Sequence, residues 1–138
     1  MRKAALLVFI AVFTPQAAAA AKGGIKLLNS VPDAYRGTWA PGVGPCKDGD
    51  TEAIVLSAKA YAGPLGKCDV ASVFETPTPK GSTYSARLQC ADPGQAQKKT
   101  LANLIIRPDD ANQISVGPGF DSLRAYRRCS QSAPASKQ

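Results

Sequence analysis

Apolar and polar residues alternate with a period of two along much of the chain. In Thr83-Tyr84-Ser85-Ala86-Arg87-Leu88-Gln89-Cys90, the residues Tyr84, Ala86, Leu88 and Cys90 fall on one face, and Ser85, Arg87 and Gln89 on the other. Gly, Pro, Asn and Asp interrupt the pattern at short intervals, and no stretch sustains helical periodicity. The pattern predicts an all-β domain with strands over Arg36–Ala40, Thr51–Ser57, Ala58–Tyr61, Lys67–Glu75, Ser82–Cys90, Thr100–Arg107, Gln113–Val116 and Leu123–Arg128. A turn near Asp92-Pro93-Gly94-Gln95-Ala96 is the one place for helix. About eight short strands in succession predict a small antiparallel meander barrel, since closure removes the edges an open sheet would expose. Strands so short predict an interior filled by side chains.

Two hairpins have a predictable register. Pro77-Thr78-Pro79-Lys80-Gly81 is rich in turn formers, and Cys68 and Cys90 are equidistant from Pro79. A symmetric hairpin sets those cysteines opposite each other, which predicts Cys68–Cys90 and leaves Cys46 with Cys129. The second hairpin turns at Pro108-Asp109-Asp110-Ala111-Asn112. Centred on Asp110, it places Ile106 opposite Ile114 and Leu104 opposite Val116.

The ends read differently. Met1-Arg2-Lys3, the apolar run Ala4 to Phe13, and Thr14-Pro15-Gln16 followed by alanines have the order of a secretion signal, so residues 1–21 are expected to be removed. The run is too short for a membrane span, which takes about 20 apolar residues. Residues 22–35 form an N-terminal arm without clean periodicity, either loose or docked through Leu27-Leu28. The barrel is expected over 36–129, and the polar residues 130–138 form a disordered tail. Export delivers the cysteines to an oxidising compartment. They are separated by 22, 22 and 39 positions, unlike the close pairs of a zinc site, and are read as two disulfides. With no cysteine near the cleavage region there is no acceptor for a lipid anchor, so a soluble periplasmic or secreted product is expected.

Charge and chemistry narrow the function. Lys and Arg number 17 against 10 Asp and Glu, a formal net charge of +7. Removing Arg2 and Lys3 with the leader lowers that to +5. The cations are scattered apart from Lys98-Lys99 and Arg124/Arg127/Arg128, which speaks against nucleic acid and for anionic envelope polymers, head groups or an acidic protein. There is no histidine, which excludes Ser-His-Asp and Cys-His catalysis and histidine metal sites. Disulfides would also consume every thiolate. Asp48, Asp50, Asp92, Asp109, Asp110 and Asp121 fall in predicted turns, where they ordinarily bind backbone. Lys47-Asp48-Gly49-Asp50-Thr51-Glu52 lacks the glycine position and distant glutamate of a helical calcium loop, and is read as a turn. No cofactor or metal is expected.

Gly37-Thr38-Trp39 holds the one tryptophan and is read as a core plug with close approach at the glycine. This Gly-x-Trp resembles the opening of lipocalin-like barrels, including small bacterial inhibitors of secreted metalloproteases. The resemblance implies that an arginine of the last strand, here Arg124, Arg127 or Arg128, packs over Trp39. More widely, Tyr35-Arg36-Gly37-Thr38-Trp39-Ala40, Cys46, Cys68-Asp69-Val70, Cys90 and Tyr126-Arg127-Arg128-Cys129 resemble a group of short four-cysteine exported proteins of proteobacteria. That likeness implies a Gram-negative periplasmic setting and supplies no catalytic residue. The expectation is a monomeric, non-enzymatic binding module for a protein or anionic envelope component, in one form an inhibitor of an envelope hydrolase. A lipocalin-like small-ligand carrier and an enzyme of unrecognised type are the alternatives.

Overall fold

The computed structural model describes residues 23–42 and 46–129; the predicted leader and tail lie outside the described residues. The strands are β1 (Lys26–Leu28), β2 (Gly37–Pro41), β3 (Ile54–Leu56), β4 (Ala60–Gly63), β5 (Gly66–Thr78), β6 (Gly81–Asp92), β7 (Gln95–Asp110), β8 (Gln113–Gly117) and β9 (Arg124–Arg128). Short 3-10 helices occupy Asp33–Tyr35 and Phe120–Ser122. From β2 to β9 each strand pairs antiparallel with the next, and β9 pairs back with β2 to close an eight-strand meander barrel. The interior is a side-chain core in which Val31, Trp39, Val73, Leu88, Ile106 and Ile114 are wholly excluded from solvent.

The arm is docked rather than loose. β1 lies beside β5, with Lys26 opposite Glu75, Leu27 opposite Phe74 and Leu28 opposite Val73. β5 runs 13 residues, and β4 covers only its first part, so β1 pairs with backbone that would otherwise be unpaired. Leu28 packs on the core and Val31 is buried in it, held by its N–H donating to Ala58 O at 2.9 Å.

Several strands differ from the sequence reading. β6 and β7 reach 12 and 16 residues, because the residues read as a helical turn instead form a tight turn at Pro93-Gly94 between Asp92 and Gln95. Gly94 has φ +80° there, a conformation glycine adopts without steric penalty. Residues 51–53 are turn rather than strand, since Asp50 Oδ1 accepts the Glu52 N–H at 2.9 Å and starts a turn of its own. β4 begins two residues later than predicted, the chain turning through Ser57 to Lys59.

The first hairpin sets Cys68 opposite Cys90, and these two are disulfide-bonded, as are Cys46 and Cys129. Its turn is Pro79-Lys80 between Thr78 and Gly81, half a residue beyond the centre assumed. A bulge between Val70 and Ser72 adds one residue to β5 and restores the cysteine register. The second hairpin needs correction: Ile106 faces Val116 and Pro108 faces Ile114, not Ile106 with Ile114 or Leu104 with Val116. Its turn is Ala111-Asn112, later than assumed, with a bulge between Pro108 and Asp110. Asp110 Oδ1 accepts the Asn112 N–H at 2.7 Å and so fixes the turn at that position. The slip of two residues keeps the same faces inward, which is why the apolar pattern alone did not distinguish the registers.

The sequence separations closed by the disulfides are 22 for Cys68–Cys90 and 83 for Cys46–Cys129. Chain entropy assigns them about 3.4 and about 4.5 kcal/mol. Denaturant unfolding of Cys68→Ser/Cys90→Ser and Cys46→Ser/Cys129→Ser is therefore expected to show the second pair as the larger loss. The reverse order would indicate that native packing, not loop closure, dominates.

Candidate functional site

Three regions gather polar chemistry: the closed end of the barrel, its opposite mouth, and an outer cleft. At the closed end Trp39 is fully buried, and its Nε1–H donates to Tyr35 O at 2.9 Å. Arg128 lies over the indole, its guanidinium carbon 4.2 Å from the ring centroid. The same fork donates to Arg36 O at 3.1 Å and to Ala34 O. Gly37 has φ +126°, and a Cβ there would make only an ordinary 3.5 Å contact with Arg128 Nη1, so it is conformation rather than space that favours glycine beneath the arginine. Arg36 adds Nε to Val31 O at 2.9 Å and an ion pair with Asp33.

The other two candidate arginines do different work. Arg127 donates to Pro41 O at 2.7 Å and joins β9 to β2. Arg124 points to the long β2–β3 loop, where its fork meets Glu52 at 3.3 and 3.2 Å. Cys46–Cys129 ties that same loop to the end of β9.

At the mouth, Ile54, Tyr61, Leu104, Val116 and Tyr126 surround a recess of about 160 Å³. Ligand pockets for small molecules usually run from about 300 to 1,000 Å³. Burial raises the Tyr61 and Tyr126 hydroxyls above their ordinary 10.0, so both are neutral at physiological pH. Tyr84 is pushed up to about 12, first by burial and then by its neighbours Tyr35 and Glu75.

The outer cleft is larger, about 660 Å³, and involves Thr78, Lys80, Thr83, Arg107, Asp109 and Phe120 among its walls. Thr83 and Arg107 alternate with the core residues Tyr84 and Ile106, which places them on the outside of the sheet. After β8 the chain turns back so closely that a Cβ on Gly117 would lie 2.3 Å from Ser122 O. The intervening turn presents Phe120, 69% exposed, at the cleft. Ser115 Oγ donates to Asp109 Oδ2 at 2.6 Å, and Arg107 donates to Ser115 Oγ at 3.3 Å with its Nε 3.5 Å from Asp109 Oδ1. Neighbouring on the outer face, Arg87 stacks on Phe74 with 5.3 Å to the ring centroid.

Sequence reasoning did not reach Lys80, Arg107 or Phe120. The available signal was Phe120 itself, a large aromatic in Gly117-Pro118-Gly119-Phe120-Asp121-Ser122 with no strand to bury it. No three His, Cys, Asp or Glu side chains among the described residues are grouped to hold a metal ion. No helix among them is long and apolar enough to cross a membrane, and the two disulfides fit an extracellular or periplasmic location. No family model matches the chain, nor does any curated protein or solved structure.

Two outcomes are expected. Arg128→Ala removes the cation–π contact and both carbonyl bonds, a loss of about 2–4 kcal/mol in denaturant unfolding. Arg128→Lys, which keeps charge without the fork, should fall between that variant and the parent. The phenols predict alkaline sensitivity. Below pH 10 both folded and unfolded chains keep these tyrosines protonated, so stability is flat with respect to them; from about pH 10 to about pH 12 the unfolded chain ionises first and stability falls. Unfolding curves at stepped pH check this, and Tyr84→Phe should flatten the decline.

Proposed function

We propose that the protein is a non-enzymatic binding module working outside the cytoplasm, which engages a protein or an anionic envelope component through its outer surface. The observation that carries this reading is the contrast between a filled interior and a furnished exterior. Trp39, Leu88 and Ile106 occupy the barrel axis, leaving about 160 Å³ at the mouth, whereas the outer cleft measures about 660 Å³. A carrier of fatty-acid-sized ligands needs the opposite arrangement. The absence of histidine from the sequence and the engagement of all four cysteines in disulfides support a role in binding rather than catalysis.

The arm belongs to the barrel in this reading. β1 is part of the sheet and Val31 part of the core, so deleting residues 22–33 would damage the barrel. Ile25 and Leu27, 70% and 61% exposed, instead extend the outer surface. Inhibition of an envelope hydrolase is one form such binding takes, and the Gly-x-Trp resemblance favours it.

Immobilised protein is expected to retain a component of a Gram-negative envelope extract, with retention weakening as salt rises, since the chain is cationic. A fluorescent fatty-acid probe is expected not to bind. Stoichiometric uptake of the probe would overturn the reading in favour of a carrier, and hydrolysis of an envelope polymer by the purified protein would overturn it in favour of an enzyme.

A further inference from the structure

We propose that the outer cleft is a saccharide site, and that its ligand is a sugar chain bearing carboxylates. This rests on the binding-module reading and adds the site and the ligand class. Three features of the cleft point the same way.

Its charge is cationic. Lys80, on the β5–β6 turn, has no ion pair or hydrogen bond among the described residues. Arg107 shares Asp109 with Ser115, so the one carboxylate lining the cleft is already occupied. An incoming anion therefore meets Lys80 and the remaining donors of Arg107, with Asp109 held by Arg107 and Ser115 and the lining left with a net positive charge. Arg107 is also held in place, since Ser115 is 6% exposed and fixes both Arg107 and Asp109. A guanidinium fork positioned in this way suits the planar geometry of a carboxylate.

The second feature is Phe120, an aromatic ring 69% exposed at the edge of the cleft. The face of an aromatic ring carries negative potential, which attracts the weakly positive C–H face of a sugar. Third, Thr83 lines the cleft with a hydroxyl that makes no hydrogen bond among the described residues, although the residue is only 7% exposed. No side-chain polar atom in the described structure is both fully buried and unpaired, so this hydroxyl remains open to solvent or ligand. Polar groups set around one apolar ring correspond to the alternating hydroxyls and C–H face of a pyranose.

The β6–β7 ladder stops at Tyr84 and Ile106, so Ser82 and Thr83 on one side and Arg107 to Asp109 on the other part to form the cleft, each still held by its other neighbour, β5 or β8. A peptide strand adding to these edges is the competing occupant, and poly-glutamate tests it. The side chains around the cleft, one aromatic, two cations, hydroxyls and the Asp109 carboxylate already engaged by Arg107 and Ser115, favour the saccharide. At about 660 Å³ the cleft falls within the range of small-ligand sites.

The test is calorimetric titration of the intact, disulfide-bonded protein with a short oligogalacturonate, its methyl-esterified counterpart and poly-glutamate. The acidic saccharide is expected to bind, with the ester and poly-glutamate each at least about tenfold weaker. Lys80→Gln and Phe120→Ala, both at exposed turn positions, should each weaken the saccharide about tenfold, while Lys98→Gln at the far end of β7 should leave it unchanged. Circular dichroism of each variant checks that the barrel is intact. Absence of saccharide binding, or equal weakening by Lys98→Gln, would overturn the assignment. So would poly-glutamate binding as tightly as the saccharide and indifferent to Phe120→Ala, the result for a mere charged surface. If the saccharide fails while envelope retention persists, the binding-module reading stands and only the cleft assignment falls; if both fail, neither stands.

Discussion

Arg128 over Trp39 is the contact on which closure of the barrel depends. It joins the last strand to β2, and its fork reaches the carbonyl of Ala34 within the 3-10 helix below and that of Arg36 just after it. An up-and-down barrel closes only if strands at opposite ends of the sequence meet, and in this chain those are β2 and β9. Backbone pairing there covers three residues, so side chains must reinforce it. Arg127 does so as well, through Pro41 O, and the backbone adds one bond beyond the ladder, the Cys129 N–H donated to Thr38 O at 2.9 Å. Once this seam is fixed, Val31 and Tyr35 are held against the end of the core, and Tyr35 packs on Tyr84 with ring centroids 5.1 Å apart.

Closure has a consequence for function. The indole, Leu56 and the large aliphatic side chains of β6 to β8 meet along the axis, and the space that a wider barrel would offer a ligand is occupied by the protein itself. Charged side chains are therefore placed on the outer face. There the long β5, β6 and β7 present Phe74, Arg87, Arg107 and the cleft beside Phe120 on a scaffold whose register is fixed by a disulfide across β5 and β6. A rigid sheet with protruding turns suits recognition, because few side chains have to be ordered on binding.

Local patterns in the sequence were enough for the strand content, the meander and both disulfides, because alternation and turn chemistry act over a few residues. The Cys68–Cys90 pairing survived an error in the assumed turn only because the bulge in β5 compensates it. Where two registers bury the same faces, as for Ile106 with Val116 or Ile114, hydrophobicity carries no preference, and the choice falls to the Asp110 side chain at the turn. β1 was not legible because three residues make no period, and their partner on β5 lies almost fifty positions away. The cleft was illegible for a related reason. Lys80, Thr83, Arg107 and Phe120 come from separate hairpins and a turn, and only the closed sheet brings them together.

We propose that this barrel binds with its exterior. Amide chemical-shift mapping during titration with the retained envelope component or the acidic saccharide tests it most directly. The changes are expected to concentrate at Thr78 to Lys80, Ser82 and Thr83, Arg107 to Asp109 and Phe120, which line the outer cleft. Changes concentrated instead at Ile54, Tyr61, Leu104, Val116 and Tyr126, around the mouth, would contradict it.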